Sequence, residues 1–74
     1  MNKLDQIIES GFFYLYIGSL ISADTIVNKE TCEESLAKIE QLEECLETST
    51  LADDKIKHLI LSAKVIALKD LEKF

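Results

Sequence analysis

The sequence predicts an all-α fold, a three-helix antiparallel bundle that forms a single helical domain over residues 1–74 and is completed by dimerisation. Three observations point there. Proline is absent and both glycines fall in the first third, so the chain lacks the punctuation a multi-strand protein requires. Apolar residues recur at the i, i+3, i+4 spacing of helices along most of the chain. A chain of 74 residues also buries only about 60% of its unfolded surface when it folds alone, and cores this small are commonly reinforced by a disulfide, a metal or a partner subunit.

The first helix is expected over residues 3–27. Leu4, Ile8, Phe12, Leu15, Ser19, Ser22 and Ile26 make one face, while Phe13, Ile17, Leu20 and Ile21 lie largely behind it. A helix that is apolar all round is either buried on every side or spans a membrane. The uncharged run from Ser10 to Ala23 gives about 21 Å of helix, whereas a span needs about 30 Å, so no membrane span is expected. An interfacial helix would want basic flanks; this one has Asp5, Glu9 and Asp24. The surplus is therefore expected to pack against protein. Phe12, Phe13, Tyr14 and Tyr16 are the best anchors, because aromatic rings bury area while the tyrosine hydroxyls stay at a wet edge. Gly11 and Gly18 permit either a continuous, slightly kinked helix, which is the favoured reading, or a stop at Gly11 acting as a helix-ending C′ residue.

The second helix, residues 32–47, is expected to begin at a Thr31–Glu34 capping box, in which each side chain satisfies an orphan backbone donor. Cys32, Leu36, Ile39, Leu42 and Leu46 make its apolar stripe, and Glu33, Glu40 and Glu44 its wet back. Glu43, Glu44 and Glu47 crowd the C-terminal end, where acids oppose the helix dipole. Either Lys55 and Lys57 compensate them across the turn, or they form an acidic rim for a basic partner.

The third helix, residues 51–73, is expected to start at Thr50 with Asp53 in its first turn. Its core face comprises Ala52, Ile56, Leu59, Ile60, Ala63, Ile66, Ala67, Leu71 and Phe74. Leu61, Val65 and Leu68 recur on the far side at i, i+4 and i+7 as a second stripe. A surface helix has no use for that stripe unless something covers it. Short connections at 28–30 and 48–50 would make the three helices antiparallel neighbours.

Chemistry is sparse. There is no phosphate-binding loop, no H-E-x-x-H, no C-x-x-C and no G-x-S-x-G, so no catalytic residue, metal site or cofactor is expected. His58, four residues after Asp54, reads as half of a surface Asp–His pair. Cys32 reads as a small core hydrophobe and Cys45 as a stripe-edge thiol. On one helix their separation places them about 20 Å apart, beyond disulfide reach. With no signal-peptide pattern, the expectation is a reduced, cytoplasmic protein.

Eight lysines and no arginine face fourteen acids, for a net charge of −6. Nucleic acid is therefore an unsuitable partner, and a basic protein surface a suitable one. The sequence thus predicts a small acidic non-enzymatic protein-binding module, such as an inhibitor, adaptor or antitoxin-like partner. Its expected interface is Phe12, Phe13, Tyr14, Tyr16, Ile17, Leu20, Leu61, Val65 and Leu68, most simply in a homodimer, with the acidic rim beside it. The alternative is a chaperone-like subunit that holds an amphipathic segment of a client, as secretion co-chaperones do.

Overall fold

The computed structural model describes residues 2 to 74 and is all-α: α1 (Lys3–Ser10), α2 (Phe13–Leu20), α3 (Lys29–Cys45) and α4 (Asp54–Glu72). Among the described residues there are four helices rather than three, because the expected first helix is broken. Gly11 adopts φ 81°, the left-handed conformation, and its N–H donates to the Ile8 carbonyl to close α1. Glycine enters that region without the Cβ penalty other residues meet. The Ser10 hydroxyl accepts from the Phe12 N–H at 3.3 Å, holding the corner before α2 begins.

The break also reverses which side of α2 faces inward. A continuous helix would bury Phe12 and Leu15; here they are 64% and 72% exposed, while Phe13, Ile17 and Leu20 are buried. At about 100° per residue, Phe13, Ile17 and Leu20 still share one face of α2. The non-helical step at Gly11 and Phe12 is what turns that face toward the core.

Both later helices start elsewhere than expected. Asn28, not Thr31, caps α3: its side chain accepts from the Thr31 N–H at 2.9 Å, and the Thr31 hydroxyl accepts from the Asn28 N–H at 3.1 Å. The capping box is thus displaced by three residues, with asparagine in the position it fills well. Helix α4 is capped by Asp53, which accepts from the Ile56 N–H at 2.9 Å. Thr50 is diverted from capping because its N–H and hydroxyl both donate to Asp5. The connections, residues 21–28 and 46–53, are correspondingly longer than expected.

Helices α3 and α4 form the central hairpin, with α1 against α2 and α3, and α2 against α3 and α4. Cys32 reaches Ala67 at the far end of the hairpin, while Glu43 meets Lys64 nearer the turn, so the two helices run antiparallel. The α4 face toward α3 is Ile56, Ile60, Ala63 and Ala67. Its two alanines allow close approach, and the Cys32 thiol donates to the Ala67 carbonyl at 3.2 Å. Leu4, Ile39, Leu42 and Ile60 are wholly enclosed, with Phe13, Ile17 and Leu20 in the same cluster. Ile66 and Phe74, expected in the core, are exposed: at about 100° per residue Ile66 falls about 90° away from the inner face, and Phe74 follows the end of α4.

The accessible surface is 4853 Å² for 8.4 kDa, against about 4,600 Å² expected of a compact monomer of that mass. The chain is well packed. Its spare apolar surface therefore reflects which residues lie outside, not a loose fold.

Candidate functional site

Helix α4 is apolar on two sides. Opposite the filled inner face, Leu61 is 37% exposed, Val65 49% and Leu68 42%, and Ile66, 40% exposed, lies on the flank between the two sides. His58, Leu61, Ser62, Val65 and Ile66 line an open depression of about 370 Å³ on this outer face. A second depression, about 440 Å³, lies where α3 ends and α4 begins; Leu46, Ala52 and Leu61 supply its apolar lining, and Glu43, Glu47, Asp53, Asp54 and Lys57 its charge. Leu61 borders both.

Of the expected acidic rim, Glu43 and Glu47 line this second depression, and Glu44 is exposed without lining it. The compensation expected from Lys55 and Lys57 comes to Glu43 from Lys64 instead, whose Nζ donates to Oε1 at 2.9 Å. That hydrogen bond raises the Lys64 pKa against partial desolvation, with the charges of Glu43 and Glu40 adding to it. No basic residue lies in the last turn of α3, so its acids and its dipole point the same way there. The expected Asp54–His58 ion pair is not formed among the described residues. Asp54 lines one depression and His58 the other.

The aromatic run divides. Phe12 and Tyr14 project outward, 64% and 55% exposed, and the Tyr14 ring meets Phe13 edge-on, centroids 5.6 Å apart. Tyr16 is half-buried against the core. Phe13, Ile17 and Leu20, expected at an interface, are instead core residues of this chain, a correction that follows from the break at Gly11. Gly18, inside α2, faces open space.

One site the sequence reading passed over is Asp5, buried at the base of α1. Its carboxylate accepts from the Ser49 hydroxyl, the Thr50 N–H at 3.0 Å, the Thr50 hydroxyl at 3.2 Å and the Leu51 N–H at 3.2 Å. These bonds, led by that from Ser49, hold its pKa below the ordinary aspartate value despite burial. Asn2 works beside it: Oδ1 accepts from the Asp5 N–H at 2.8 Å, while Nδ2 donates to the Cys45 carbonyl and the Thr48 hydroxyl, each at 3.0 Å. Together they fasten the start of α1 to the α3–α4 turn and shape the loop that borders the larger depression.

Cys32 and Cys45 are free thiols. Burial, with Asp70 and Glu33 nearby, pushes the Cys32 thiol pKa up, which leaves it a poor nucleophile. No cluster of metal-ligating side chains occurs among the described residues. No helix among them is long and apolar enough to cross a membrane. Comparison of the chain with family models, curated proteins and solved structures finds no match.

Proposed function

We propose that the chain is a small acidic, non-enzymatic protein-binding module, an inhibitor, adaptor or antitoxin-like partner, that docks through the outer face of α4. The observation that carries this reading is the second apolar side of α4, with Leu61, Val65, Ile66 and Leu68 open to water on a helix whose inner side is already packed. Removing such surface from water is favourable by about 25 cal/mol per Å² of apolar area, before the entropic cost of association is subtracted. Phe12, Tyr14 and Leu15, also exposed, offer a second apolar surface, and aromatic residues of that kind serve as interface anchors. A symmetric homodimer that covers Val65 and Leu68 and leaves the acidic α3–α4 turn free is the simplest assembly for the far part of the α4 face. A chaperone-like role, holding an amphipathic segment, is the second reading, favoured by the two depressions that flank Leu61. The proposal includes a cytoplasmic setting, supported by two thiols of the kind a reducing compartment maintains.

Light scattering with a hydrophobic dye tests the reading. The protein should be either a dimer at tens of micromolar or a monomer that enhances dye fluorescence. Val65→Lys with Leu68→Lys should remove whichever response occurs while the helical circular dichroism remains. A monomer that binds no dye would overturn the proposal.

A further inference from the structure

The depression at the α3–α4 turn indicates the chemistry of a partner, an inference that rests on the protein-binding reading above. Within it, Glu43, Glu47, Asp53 and Asp54 surround an apolar lining and face one ammonium, that of Lys57. Lys64 engages only Glu43, and neither Glu47 nor Asp54 forms an ion pair among the described residues. The C-terminal end of α3 adds its partial negative charge with no base in the last turn. An apolar trough with a negative rim favours an occupant that is apolar in the middle and positive at its edges.

We propose that this groove holds a basic amphipathic helix from another protein, with a large apolar side chain seated between Leu46 and Leu61 and lysine or arginine one turn away meeting Glu47 and Asp54. The form of the occupant follows from the second depression. It shares Leu61 with the first and runs along α4 from His58 to Ile66, so anchors one helical turn apart, about 5.4 Å along an axis, would fill both in sequence. A second copy of this chain fits the groove poorly. It brings another net charge of −6, and like charges brought together across an interface oppose association.

The test uses the intact protein and a synthetic helical peptide with leucines at i, i+3, i+4 and i+7 flanked by lysines, beside a twin carrying glutamate for every lysine. Fluorescence anisotropy should show the basic peptide binding, with affinity falling as salt rises, and the acidic twin failing to bind. Glu47→Lys with Asp54→Lys should weaken the basic peptide about tenfold or more. Glu47→Gln with Asp54→Asn, a milder change at the α3–α4 turn, should weaken it about three- to tenfold with circular dichroism unchanged. Equal binding of both twins, or indifference to both pairs of substitutions, would overturn the inference. So would a dimer in which Glu47 and Asp54 of two copies lie at the contact. If neither peptide binds while the dye or dimer response of α4 persists, the basic-helix inference fails and the protein-binding reading stands. If that response is absent too, both fall.

Discussion

Replacing each glycine with alanine separates the four-helix fold from the three-helix alternative. A Cβ at Gly11 or at Gly18 would meet nothing within 4 Å, so crowding is equal and absent at both positions, and only backbone conformation distinguishes them. Gly11 sits at φ 81°, where a side chain costs roughly 1–2 kcal/mol; reduced freedom of the unfolded chain returns part of this, leaving a net loss of about 1 kcal/mol. Gly18 lies inside α2, where alanine should stabilise by about 0.4–1 kcal/mol. The same chemical change should therefore differ by about 1.4–2 kcal/mol between the two sites, in opposite directions. For a domain of this size each kcal/mol moves Tm by roughly 4–8 °C. Thermal melts with matched urea titrations would measure both. Stabilisation by Gly11→Ala would mean that the first helix runs on through residue 11, and would refute the reversed facing of α2.

Other expectations follow from the same contacts. The folded-state pKa of Asp5 lies below its unfolded value, so its contribution to stability is complete above the unfolded aspartate pKa of about 3.9 and is lost as pH falls through the folded value. Urea midpoints of the protein and of Asp5→Asn should thus differ most near neutral pH and converge in acid. A reducing agent should leave Tm unchanged, since both cysteines are free. In timed alkylation followed by mass spectrometry, Cys45 should react well before the enclosed Cys32. Glu44→Gln with Glu47→Gln should raise stability slightly, roughly 0.3 kcal/mol or more, by relieving the opposition to the α3 dipole. Glu43→Gln should not, because Glu43 holds Lys64; urea titration of the two variants compares them directly.

What local pattern determines was readable in the sequence. The stripe from Cys32 through Ile39 and Leu42 is buried as its spacing implies, and Ile56, Ile60, Ala63 and Ala67 form the inner face of α4. The two-sided character of α4 was readable for the same reason, since Leu61, Val65 and Leu68 fall opposite that face. The helix starts were less so. Asn28 and Asp53 cap their helices in competition with Thr31 and Thr50, and in the second case the choice depends on Asp5, bonded to Thr50 across a separation of 45 residues. No local window contains that pair. The facing of α2 was missed because a run apolar on all sides specifies no direction, and the backbone at Gly11 supplied one. The pairing of Glu43 with Lys64 rather than with Lys55 or Lys57 depends in turn on the register of the α3–α4 hairpin.

The outer face of α4 is the proposed docking surface, and residue-resolved NMR on the isotopically labelled protein tests it most directly. Amide shifts followed during titration of a monomer with a hydrophobic dye, or during dilution of a dimer, should move first along His58, Leu61, Ser62, Val65 and Leu68. Shifts confined to Phe12, Tyr14 and Leu15, or none in either experiment, would contradict it.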